Sequence, residues 1–264
     1  MNMFDIRFRF FGIPVLISFW YWITLLLFAW IFGFVNRGWE IVIAFILANF
    51  LAEFAKGFGE AIVAKLYGYQ GALVFEGMDG GATGDYQTAK GMRRSNIAIA
   101  GPATGFLVYA GCYFSLNYVT GHLLPRMPLN LQFPTIAFIG YLMVFTLYFG
   151  LLHLFPVLNY AGGIIMREGL IGVIGRSGER LAYLVSFVVA AAVAGYSGYK
   201  IAHPEVPYLD ELLMKPFLNR AMGQMRGEFP LFTLVIFAWM ALSNLWKFVK
   251  PWFGRRGDHE GGSE

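Results

Sequence analysis

The feature that most constrains this chain is the recurrence of apolar runs long enough to cross a bilayer. Six runs reach that length, roughly residues 14–35, 41–66, 95–118, 133–156, 181–198 and 229–249. A helix needs on the order of 20 residues to traverse the hydrocarbon core. Inside a membrane every backbone N–H and C=O must find its partner within the protein, which leaves helices or a closed barrel, and runs of this length select helices. The composition agrees: 58% of the 264 residues are hydrophobic and 14% are charged, where soluble domains carry charge on roughly a quarter of their residues. The expected class is therefore an all-α integral membrane protein with about six transmembrane helices. A short strand candidate, Ala72-Leu73-Val74-Phe75, and the glycines 77, 80, 81 and 84 predict a small hairpin between the second and third helices.

A formal net charge of +4 and a pI of about 9.1 would suggest nucleic acid in a soluble protein. Here Lys and Arg sit at the ends of apolar runs, where they set orientation, so no nucleic-acid partner is expected. Placing both termini in the cytoplasm collects Arg7, Arg9, Lys90, Arg93, Arg94, Arg167, Arg176, Arg180, Lys247, Lys250, Arg255 and Arg256 on that side. Arg37, Arg126, Lys200, Lys215, Arg220 and Arg226 fall on the other, and the bias favours this orientation. The first run ends in Asn36-Arg37 without a small-x-small cleavage site and reads as a retained helix. The single Cys112 permits no intrachain disulfide. Three regions follow: a membrane core over 1–200, an amphipathic connection plus the sixth span over 201–250, and a polar, glycine-rich, disordered tail over 251–264.

Chemistry concentrates in the second run. Glu53, Lys56 and Glu60 are spaced three and four apart and so share one helical face. Counted from Ile41, Lys56 lies ~22 Å along a helix of ~39 Å. A lone charge at that depth costs on the order of 3 kcal/mol, so the cluster must face the bundle interior, and ionisable groups there mark functional sites. The plainer reading is a self-neutralised cluster that only packs. His153, at the end of the fourth run, could meet Glu60 across a helix interface, although a histidine in that place more often serves packing. His122, His203 and His259 show no ligand spacing. The glycine-rich 77–84 loop lacks the lysine and helix start of a phosphate cradle.

The frame around this cluster resembles the zinc-binding helix of site-2 proteases, intramembrane metalloproteases with the signature His-Glu-x-Gly-His-Ala followed by a small residue, a basic residue and a glycine. Gly59, Ala61, Ala64, Lys65 and Gly68 stand where that pattern places them. The strand and glycine-rich turn resemble the family's short sheet segment. Gly101-Pro102 within Ile97–Gly105 resembles its Ala-Gly-Pro motif, and Gly101 and Gly105 also form a G-x-x-x-G pair suited to helix packing. Pro156, Gly162 and Gly163 within His153–Gly163 resemble its Asn-x-x-Pro-x-x-Pro-Leu-Asp-Gly-Gly segment. The resemblance spans about residues 7–200.

In that family two histidines and a later aspartate hold zinc and a glutamate activates water. The corresponding positions here are Lys56, Gly57, Glu60 and Ala161. An ammonium has no lone pair for a metal, and only Glu60, with His153 beside it, remains as a candidate ligand where a catalytic zinc needs three. No cofactor is expected. Lys56 could supply the positive charge that zinc supplies in the family, with Glu53 and Glu60 as its partners. The resemblance thus implies an inactive pseudoprotease that lies in a lipid bilayer and binds transmembrane segments of client membrane proteins, with a homo-oligomer left open. Two alternatives stand beside it. One is an active intramembrane metalloendopeptidase with a rearranged site of Glu53, Glu60 and His153; the other is a proton- or ion-coupled transporter with Glu53, Lys56 and Glu60 along its pathway.

Overall fold

The computed structural model describes residues 4–31, 33–77, 79–158, 160–204 and 229–254. The chain opens with two strands, β1 (Ile6–Phe10) and β2 (Ile13–Ile17), and a short helix, α1 (Phe19–Ile31). A long helix follows, α2 (Trp39–Leu66), and then β3 (Gly71–Glu76) and β4 (Asp79–Gly84). Next come α3 (Gly91–Tyr118), which continues by tighter and wider turns as one rod to Arg126, and α4 (Leu129–His153). The remaining helices are α5 (Ala161–Ile174), α6 (Arg176–Ala202) and α7 (Phe229–Gly254). The expected amphipathic character of the connection before α7 and the expected disorder of the tail concern stretches that lie mostly outside the described residues.

Four helices among the described residues, not six, are long and apolar enough to cross a membrane: α2, the α3 rod over Gly91–Arg126, α4 and α6. They make the chain a multi-pass membrane protein. The first expected span, 14–35, fails because its leading residues are strand. Ile13, Val15 and Ile17 point one way in β2 and are buried, as alternating β-branched residues favour. What remains is α1, 13 residues long, or ~20 Å. The sixth, 229–249, is helical within α7 and is not one of the four.

The expected hairpin between the second and third helices is present as β3 and β4, and it belongs to a larger sheet than the sequence indicated. The order is β1-β2-β3-β4, with β2 and β3 parallel and the two outer pairs antiparallel. Ile13, Val15, Ile17, Leu73 and Phe75 form one buried cluster with Tyr21 and Leu25 of α1 and Ala61 of α2. The Phe75 ring stacks on Phe54 of α2, with centroids 6.2 Å apart. The sheet therefore lies along the second half of α2, while α1 covers part of the first half. A larger cluster, including Phe34, Phe45, Tyr141 and Phe145, joins α2 to α4 and reaches α6 and α7.

Small residues set how closely these elements approach. A side chain at Gly59 would meet the Ala100 carbonyl oxygen of α3 at 2.7 Å, and one at Gly101 would meet the side-chain stems of Glu60 and Lys56 at 3.1 Å. At Gly57 the obstacles are Leu73 and the β4 backbone, at 3.1 and 3.3 Å. This close contact of α2 with α3 on one side and with β4 on another positions the polar residues described next.

Candidate functional site

The helical phase of α2 puts Glu53, Lys56 and Glu60 on the face that carries Gly57. Lys56 stands ~26 Å from the start of a helix ~42 Å long. Its ammonium lies 2.6 Å from Glu53 Oε2 and 3.2 Å from His153 Nε2. His153 is delivered by the last turn of α4, directly after a wide turn at Phe145–Phe149, and its Nδ1 is 2.6 Å from the Phe149 carbonyl oxygen. A carbonyl can only accept, so Nδ1 carries the proton and Nε2 offers its lone pair to Lys56. The Tyr160 ring packs against the imidazole with centroids 4.7 Å apart.

Lys56, Glu60 and His153 line a cavity of about 280 Å³ together with Gly80, Gly81 and Ala82 of β4, Tyr86, Gln87, Arg94 and Ala98. Ala161 and Ile164 of α5 close it. Pro102 lacks the N–H that would bond the Ala98 carbonyl one turn earlier, and Ala98 is a wall of this cavity. The Tyr86 hydroxyl donates to the Ala82 carbonyl. Burial pushes the Tyr86 phenol well above its ordinary pKa, the Glu60 carboxylate adds to the rise, and Arg94 opposes both. The Arg94 guanidinium sits 5.3 Å from the centre of the Tyr86 ring.

The other singled-out positions are structural neighbours of this cavity. Gly162 and Gly163 let the start of α5 pass against the backbone of Leu154–Phe155 and of Val157–Leu158. The Pro156 carbonyl accepts from the Ser186 hydroxyl of α6 at 3.3 Å. Sequence reasoning did not single out as site residues Tyr86 and Gln87, which lie in a connection with no motif to flag them, or Arg94 in the first turn of α3, which it read only for orientation. It also passed over Arg167, Glu168 and Glu179. Glu168 is buried, accepts the Gly91 N–H at the start of α3 at 2.6 Å, and pairs with Arg167 at 2.8 Å. Arg167 reaches Glu179 at 2.5 Å. Burial works against the Arg167 charge, but Glu179 and then Glu168 outweigh it and raise its pKa. A Glu inside the apolar stretch 161–174 was the signal available for this cluster. Gln87, Arg94, Ile164, Arg167, Glu168, Tyr183 and Lys247 line a second cavity of about 300 Å³.

The donor set does not fit zinc. The one histidine of the cluster has Nδ1 turned to a carbonyl and Nε2 turned to an ammonium, and a cation already stands where a metal would have to approach. Among the described residues no group of three or more His, Cys, Asp or Glu is placed to hold a metal ion.

No protein-family model matches the chain, and no curated protein matches it. Among solved structures the chain is similar to a site-2 protease from Methanocaldococcus jannaschii, with 19% identity and a TM-score of 0.49 over 90% of this chain and 95% of that one. A likeness of this size decides nothing about the site, which rests on the residues of this chain.

Proposed function

We propose that this membrane protein binds transmembrane segments of client proteins at the cavity beside α2 and β4 and leaves them uncut. The observation that supports this most is the Lys56 ammonium seated on the Nε2 lone pair of His153. A group held in that way is not offered to a metal, and hydrolysis in a site of the resembled kind needs one. A recognition surface remains. β4 is an outer strand of the sheet, and its Gly80, Gly81 and Ala82 face the polar cavity. An extended segment can add to such an edge through main-chain hydrogen bonds.

A photoreactive residue at Ala82 in the reconstituted protein, incubated with a panel of single-span membrane proteins, tests the proposal. Adducts with intact clients are expected. Cleaved clients, or stoichiometric zinc in the purified protein that Glu60→Ala removes, would overturn it in favour of a metalloendopeptidase. No adducts but pH-dependent flux in liposomes would assign the cluster to a coupled transporter instead.

A further inference from the structure

The N-terminal hairpin carries a pattern that the cavity does not use. The β1–β2 register pairs Ile6 with Ile17, Phe8 with Val15 and Phe10 with Ile13, so these six share one face of the sheet. Ile13, Val15 and Ile17 are buried, and Phe10 packs edge-on against Phe54 and Phe58 of α2 at 5.2 and 5.1 Å. Ile6 and Phe8 overhang that contact and stay 49% and 41% exposed, with Phe4 beside them at 65%. Arg7 and Arg9, on the opposite face, are exposed. At the turn Phe11 has φ 49°, a left-handed conformation that costs an L-residue roughly 1–2 kcal/mol. It nonetheless leaves its ring 76% exposed. The Phe11 carbonyl accepts from Lys65 Nζ at 3.2 Å, in the last turn of α2. The tip therefore lies where a spanning helix leaves the bilayer, and Phe54 places the body of the hairpin within ~18 Å of that end.

We infer that this hairpin is an interfacial anchor, with Phe4, Ile6, Phe8 and Phe11 seated in an acidic phospholipid leaflet and Arg7, Arg9 and Lys65 at its phosphates. Two arguments select lipid as the occupant. Along β1 exposed apolar and basic residues alternate, so that Ile6 and Phe8 lie on one face and Arg7 and Arg9 on the other, which complements acyl chains below and anionic headgroups above. β1 is also an outer strand of the sheet, and an unpaired edge is not tolerated in hydrocarbon, so the strand lies flat at the boundary with its apolar face inward. The inference is independent of what the cavity binds.

The test uses the full chain in vesicles of phosphatidylcholine mixed with phosphatidylglycerol. Nitroxide labels are placed one at a time on cysteines introduced at Phe8, Arg9 and Phe11 in a Cys112→Ser background. All three sites are exposed, and thermal melts verify folding. Labels at 8 and 11 should favour collision with oxygen and the label at 9 with an aqueous nickel chelate. Equal nickel access at all three would put the hairpin in water and overturn the inference. Shielding from both reagents, with broadening between labels on different copies, would overturn it in favour of a second copy on this face. Arg7→Gln with Arg9→Gln should lower the enrichment of phosphatidylglycerol over phosphatidylcholine around the protein several-fold. Unchanged enrichment would overturn the acidic-lipid part.

Discussion

Lys56 is costly where it stands, and its neighbours show how the cost is met. A charge at that depth needs a partner of opposite sign, and Glu53 supplies one at 2.6 Å, with the His153 lone pair on another side. Removing one member of a buried pair leaves the other uncompensated, at about 3–5 kcal/mol. Lys56→Met should therefore lower the melting temperature sharply, and adding Glu53→Gln to the same chain should restore part of the loss. Equal melting temperatures for the wild type and Lys56→Met would show that the cluster does not stabilise the fold. Tyr86 gives a prediction with a pH sign. Its folded pKa is raised, chiefly by burial, so its contribution to stability is complete below the ordinary phenol value of about 10 and is lost as pH rises above that value. Melts at rising alkaline pH should fall less steeply for Tyr86→Phe than for the wild type. The spacing of Glu53, Lys56 and Glu60 was legible in the sequence because helical periodicity alone puts them on one face. That His153 meets the lysine depends on how α4 lies against α2, which no local pattern encodes.

The elements show the same division. The second, third, fourth and fifth apolar runs reappear as long helices because their length leaves no competing structure. The first does not, because hydropathy cannot tell a buried strand from a buried helix, and the alternation of Ile13, Val15 and Ile17 was hidden in a run apolar on both faces. The parallel pairing of β2 with β3 joins residues far apart in sequence, Val15 with Leu73 and Ile17 with Phe75, so a sheet of four strands was out of reach of local reading. The approach of α2 to α3 was foreshadowed by Gly59 and Gly101. A methyl group at Gly59 would press on the Ala100 backbone at 2.7 Å, whereas one at Gly111, in the same α3, meets nothing within 4 Å. Gly59→Ala should cost about 1–3 kcal/mol by overpacking. Gly111→Ala should be neutral or stabilising by up to about 1 kcal/mol, the helical advantage of alanine over glycine. Similar melting temperatures for the two variants would mean that the helices separate freely at this crossing.

Taken whole, the molecule gathers its polar chemistry towards one end. The inner cavity, with Lys56, Glu60 and His153, and the outer one, with Arg167, Glu168 and Lys247, share Gln87, Arg94 and Ile164 as walls. The outer cavity lies where α2 has ended, α3 and α6 begin and α7 nears its end. Lys90, Arg93, Arg94, Arg176 and Arg180 flank those same helix ends, and basic residues beside spans favour the cytoplasmic side. The shared walls put the two cavities side by side, and under the proposed function the outer one is the expected way in for a client segment. In a Cys112→Ser background, a cysteine at Gln87 should react with a membrane-impermeant maleimide in inside-out vesicles and resist it in right-side-out ones. A cysteine at Ala161, on the inner wall, should react from the same side but more slowly, because Arg94 and Gln87 stand before it. Reaction of Gln87→Cys from the opposite side would reverse the orientation. Reaction of Ala161→Cys only after detergent solubilisation would mean that the inner cavity is sealed from water in the bilayer, and a client would then have to reach Lys56 sideways, between the helices.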